Sequence, residues 1–139
     1  MKAIWRWFLR ARIFVPILLI VAVFALWQYA IAHEKARSRD LRRISDALTI
    51  QTAFEKMYLH DRGYTAAAED GCEEIGQPVQ QCNLHDYYRE IDELRDPGKY
   101  GYVISKVPNR DGYEVTFQLE ISHHDLKKGQ HTISQEGIE

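Results

Sequence analysis

Two cysteines, six histidines and a run of carboxylates are the side chains of this chain best suited to bind a metal or support bond-breaking chemistry. Cys72 and Cys82 stand ten residues apart in a loop rich in Gly, Pro, Gln and acid. A thiolate zinc site rests on a CxxC pair or a nearby histidine ladder, and neither accompanies them. A pair closing a short loop suits an oxidising compartment, so Cys72 and Cys82 are predicted to form a disulfide. Glu69, Asp70, Glu73 and Glu74 crowd the same loop and are where a hard cation such as calcium would sit. A solvated acidic loop is the simpler expectation, and no metal site is assigned. His33, His60, His85, His123, His124 and His131 contain no HExxH pair, and His123-His124 reads as a solvated strand end. No serine carries a nucleophile elbow and no Gly-rich phosphate loop occurs, so the sequence predicts neither an enzyme nor a cofactor.

The elements that would position these groups begin with an apolar run. Ile13 to Ala32 is 20 residues without a charge, which as a helix spans ~30 Å, the thickness of a bilayer's hydrocarbon core. It is read as a transmembrane anchor rather than a core helix, because a core helix of this length keeps a polar face. Pro16 is expected in its first turn, where a missing N–H costs little. Trp5 and Trp7 on one side, with Trp27 and Tyr29 on the other, suit the aromatic belts of the two interfaces.

Charge divides the chain. Met1 to Arg43 carries a net +7 and Ile44 to Glu139 a net −9, within an overall −2 over 139 residues. The acidic distal part argues against nucleic acid, whose binding needs clustered cations. Lys2, Arg6, Arg10 and Arg12 favour a cytoplasmic amino terminus. Lys35, Arg37, Arg39, Arg42 and Arg43 follow the span and offset that signal, so the disulfide supplies the deciding argument for an extracytoplasmic carboxyl-terminal part. The expected organisation is a basic cytoplasmic leader (1–12), a transmembrane helix (13–32) and an extracytoplasmic domain (33–139). A second topology stays open: Ala30-Ile31-Ala32 is an A-x-A triplet after an apolar run, and cleavage there would release a domain beginning at His33.

From His33 to His60 no Gly or Pro intervenes, and helix formers dominate, so one helix is expected from about residue 5 to about residue 61. Ile44, Ala47, Leu48, Phe54, Met57 and Tyr58 recur at threes and fours as its inner face, and Gly63 is its expected cap. A short helix is predicted over Leu84 to Leu94 behind Asn83, and a turn at Asp96-Pro97-Gly98. Tyr100–Val107 and Tyr113–Glu120 alternate as strands of a hairpin, with His131–Ser134 as a third strand. Tyr113, Val115, Phe117 and Leu119 form the covered face, and Leu48, Phe54 and Tyr58 are predicted to pack on it, facing Val103, Val115, Phe117 or Leu119. The fold class is α+β: a long amino-terminal helix, half transmembrane and half amphipathic, on a small antiparallel sheet.

The order of motifs from Ala36-Arg37-Ser-Arg39-Asp40 through Ile50-Gln51-Thr52-Ala53-Phe54, Gly63-Tyr64, Asp96-Pro97 and Gly112-Tyr113 resembles type IV pilins and type II secretion pseudopilins. The resemblance covers about residues 36–134. It departs at the amino terminus, where the family has a Gly before its peptidase site and a Glu after it. Here the stretch reads Trp7, Phe8, Leu9, Arg10, Ala11, Arg12, with Arg12 about where the Glu would be. An arginine there would repel a neighbour's terminal amine and is costly in lipid. The resemblance therefore implies a minor or unprocessed pilin-like structural subunit, with the membrane and other pilin-like subunits as partners through the amino-terminal helix. The alternative, from another class, is a secreted or signal-anchored binding module of similar architecture with no filament role.

Overall fold

The computed structural model describes residues 2–69 and 71–139, with side chains in residues 14–69 and 71–139. One helix, α1, runs from Lys2 to Asp61, and four strands follow: β1 (Val103–Lys106), β2 (Glu114–Leu119), β3 (Gly129–Ser134) and β4 (Gly137–Ile138). The chain divides into two compact units, Met1–Ala36 and Arg37–Glu139.

The first unit is helix alone. Its large apolar side chains from Phe14 to Ile31 are exposed, and the helix is long and apolar enough to cross a membrane. Pro16 lies inside α1 rather than in its first turn, because the helix begins well before it. A proline there removes one intrahelical bond, a loss that helices in lipid tolerate. No break occurs between Trp27 and Arg43, as the absence of Gly and Pro requires. The leader side chains, including Arg12, lie outside the described ones.

The second unit lays the end of α1 on the antiparallel sheet β1-β2-β3-β4, giving the α+β architecture. Burial along the helix follows Asp40, Arg43, Ala47, Ile50, Phe54 and Met57, one step of three or four after another. β2 pairs with β3 through Val115↔Ile133 and Phe117↔His131, and with β1 through Ile104↔Val115. Val115, Phe117 and Leu119 point inward as alternation demands. The Phe54 ring stacks on Tyr113 at a centroid distance of 3.8 Å, and Tyr64 meets both edge-on.

Four expectations are corrected. Leu48 is 52% exposed and Tyr58 43%, so only Phe54 of the three predicted helix residues lies under the sheet. Ala47 and Ala53 are fully buried instead, and Leu48 sits about 100° round from Ala47. Val103 pairs with Thr116 on the opposite, partly exposed face. Arg62, not Gly63, adopts the left-handed conformation that ends α1 (φ 59°), and its N–H donates to Tyr58 O at 2.9 Å. A Cβ on Gly63 would stand 3.4 Å from Arg110 Cα, an ordinary contact. The segment Leu84 to Leu94 holds only a 3₁₀ turn at Arg89–Glu93, because Tyr88 is extended (φ −154°, ψ 100°). A helix that short is marginal alone, and burying Leu84 and Ile91 in the core decides the local path.

Candidate functional site

Asp40 and Arg43 are three residues apart on α1, so both project to its inner face, where neither is exposed to solvent. Arg43 Nη1 donates to Asp40 Oδ1 at 2.8 Å and to Glu120 Oε1 at 2.7 Å. Its Nε and Nη2 donate to the two oxygens of Asp96 at 2.5 and 3.0 Å. Arg39, one turn earlier, donates through Nε to Glu120 Oε1 at 2.7 Å and through Nη2 to Oε2. Asp40 also accepts the backbone N–H groups of Glu120, at 3.0 and 2.9 Å, and of Ile121 at 2.8 Å. These are donors left over where β2 ends, and an unmet buried donor costs about 1–3 kcal/mol. Two guanidiniums and three carboxylates thus fasten one turn of helix to the end of β2 and to the Asp96–Gly98 turn.

The turn is shaped for that contact. Asp96 Oδ2 accepts the N–H of Gly98 at 2.7 Å and of Tyr100 at 3.2 Å, a local side-chain-to-backbone turn. A Cβ on Gly98 would stand 2.7 Å from Arg43 Nη2, so glycine is the residue that lets the guanidinium pass. Tyr100 covers Arg43, its ring centroid 5.1 Å from Cζ. The Glu120 carboxyl is held at about 2, by its bond from Arg39 first and from Arg43 next, against the opposing effect of burial. Burial raises the Asp96 carboxyl, but Arg43 and the two N–H groups outweigh it, and the balance is lowered. Farther along α1, the Tyr102 hydroxyl donates to Asp46 Oδ2 at 2.6 Å, and burial with that bond pushes the phenol upward. At the end of α1, Asp61 accepts from Tyr87 and His60; the Tyr87 phenol is pushed up to about 12, chiefly by Asp61.

Cys72 and Cys82 are bonded as predicted, their Cα atoms 4.5 Å apart. The bond closes a loop that lies along the outer edge of β1. Gly76 N–H donates to Ile104 O at 2.8 Å, Ile104 N–H to Gln77 O at 2.9 Å, and Val79 N–H to Tyr102 O at 2.9 Å. Of the acidic loop, Asp70 lies outside the described residues. Among those described, no group of three or more His, Cys, Asp or Glu side chains converges to hold a metal ion. His123 and His124 do not act together: His124 takes a left-handed backbone, and His123 turns a buried Nε2 to within 3.7 Å of Asp40 Oδ2.

Sequence reasoning missed the ion cluster. It counted Arg39, Arg43 and Asp40 as juxtamembrane charge. Their spacing with Ala47, Ile50 and Phe54 was the available signal, since it puts two charges in line with the buried face. No family model, curated protein or solved structure matches the chain.

Proposed function

We propose that this chain is a membrane-anchored, pilin-like structural subunit of the cell envelope, minor or unprocessed, with its amino terminus cytoplasmic and its head extracytoplasmic. The apolar helix from Phe14 supports the anchor, and the disulfide supports an oxidising compartment for the head. The observation that carries the structural role is the uncovered side of α1 in the head unit. Leu41, Leu48 and Leu59 are 53%, 52% and 72% exposed, on a helix whose other side is spent on the sheet. Leu41 and Leu48 are seven residues apart, with Ser45 between them and Thr52 beyond. That is a narrow stripe of leucines and small hydroxyl side chains, of the sort by which one helix receives another. The partner is a second copy or another pilin-like subunit, engaged helix to helix.

The test is disulfide trapping in native membranes. Cysteine placed singly at Leu41, Leu48 or Leu59 should give covalent dimers or ladders on mild oxidation, because the native pair is buried and bonded. Monomer alone at all three positions would reject assembly through this face and favour a binding module. The intact mass of the mature protein separates the processing schemes: a cut near Trp7 marks a filament pilin, loss of residues 1–32 a secreted domain, and neither an unprocessed anchor.

A further inference from the structure

Four arginines, Arg37, Arg39, Arg42 and Arg43, follow the apolar run closely, and the fold spends only two of them. Arg39 and Arg43 are committed to Asp40, Asp96 and Glu120. Arg37 and Arg42 stay exposed, and the same end of the head unit collects three more cations. Lys99 follows Gly98 in the turn that Arg43 grips. Lys127 and Lys128 lead into Gly129, which pairs with Leu119 beside Glu120. All five are exposed, and none forms an ion pair with a described residue. The buried cluster of two arginines and three carboxylates carries one negative charge in excess, and Asp125 adds another, so this end keeps a net +3. Ile44 to Glu139 as a whole carries −9. We propose that this cationic end of the head docks on the headgroups of anionic phospholipids.

The docking rests on the membrane anchor proposed above. Arg37 stands five residues past Ala32 on α1, ~8 Å along the helix, about one Debye length at physiological salt. Lys35 and Glu34, just before it, offset each other. A hollow of about 260 Å³ lined by Arg39, Gly98, Lys99, Tyr100 and Glu120 offers a place for one lipid phosphate. Arg39 spends Nε and Nη2 on Glu120, which leaves Nη1 to donate, and Lys99 adds an ammonium. The Glu120 carboxylate in the wall is already answered by both arginines. Tyr100, 39% exposed, has the apolar ring and polar tip that suit the headgroup level. The acidic surface of a second copy would satisfy the same cations, but it must be met by diffusion, whereas the bilayer is tethered to them.

The measurement is an amide-shift titration of the ¹⁵N-labelled full chain in phosphatidylcholine bicelles, with phosphatidylglycerol replacing part of the lipid at constant ionic strength. The amides of Arg42, Lys99, Tyr100 and Lys128 should shift saturably, and those of Asp111 and Gly112, at the other end of β2, should not. Lys99→Gln should raise the phosphatidylglycerol fraction at half-shift about fivefold, the worth of one cation near an anionic surface, and Arg110→Gln should leave it unchanged. The wild-type titration stands without either variant. Equal shifts from free glycerol phosphate in phosphatidylcholine bicelles would assign the hollow to a soluble phosphate and overturn lipid docking. Shifts that follow protein concentration instead of lipid composition would assign the cations to a second copy and overturn it too. Flat shifts, with the chain still floating with phosphatidylcholine vesicles in high salt, overturn the docking and leave the anchor standing. A chain that does not float with those vesicles has no anchor, and the docking falls with it.

Discussion

Arg43 of α1 grips Asp96 with both ends of a fork, Nε to Oδ1 at 2.5 Å and Nη2 to Oδ2 at 3.0 Å, across 53 positions of chain. The pair joins a helix to a turn that share no sheet bonds, and the Asp40 and Glu120 carboxylates complete it. Removing one member of such a group leaves the others buried without compensation, a more damaging event than never having had them.

Arg43→Ala should therefore destabilise the head by about 3–5 kcal/mol, and Arg43→Lys should recover little of it, because an ammonium cannot span both Asp96 oxygens. Gly98→Ala should destabilise in the same direction by forcing the guanidinium aside. Thermal unfolding of the full chain in micelles, followed by near-ultraviolet circular dichroism, measures this. An unchanged midpoint for Arg43→Ala would mean that the cluster does not hold the fold.

Acid should open the same lock. Glu120 sits at about 2 against an ordinary 4.5, and Asp96 and Asp61 are also lowered, so the folded chain binds fewer protons than the unfolded one. Their contribution is complete above about pH 4.5 and is lost as pH falls towards 2. The melting temperature should decline across that window, and Glu120→Gln should flatten part of the decline. A decline of the same size in wild type and Glu120→Gln would assign the acid sensitivity elsewhere.

Two faces of one helix should behave oppositely. Phe54→Ala removes a fully buried ring stacked on Tyr113 and should cost about 3–5 kcal/mol. Leu48→Ala trims a half-exposed side chain and should stay within about 0.5 kcal/mol for the monomer, while weakening any association through the exposed seam. Equal melting shifts in the two variants would refute the assignment of inner and outer faces.

The Cys72–Cys82 bond should account for about 2–3 kcal/mol in a loop-entropy reckoning. Thiol titration of unreduced, denatured protein should find no free thiol. Reduction should lower the melting temperature and first release exchange protection at Gly76, Val79 and Ile104, whose amides bond across the loop and β1.

Much of this molecule was legible beforehand. The unbroken helix past the apolar run followed from the lack of Gly and Pro between His33 and His60, the inner face of β2 from alternation at Val115, Phe117 and Leu119, and the disulfide from two cysteines in one loop. What escaped has physical reasons. Leu48 and Ala47 differ by one helical step, and hydropathy alone favours leucine for the inner face although alanine holds the buried position. Arg43 and Asp40 read as solvated because charges usually are; only Asp96 and Glu120, distant in sequence, make their burial possible. β4 is too short to carry a periodic pattern, and Gly137 at φ 130° marks its turn only in retrospect.

The stapled loop beside β1 has a bearing on crowding. A sheet ends in a row of free amides and carbonyls, and proteins held at high density meet each other's rows often. Here Gln77 and Val79 already occupy the β1 row, and Pro78 has no N–H to offer a stranger on the outside. A covalent bond keeps the segment from peeling away. Oxidation of two cysteines thus closes one border of the sheet to unwanted neighbours, and a reduced molecule would carry that border open.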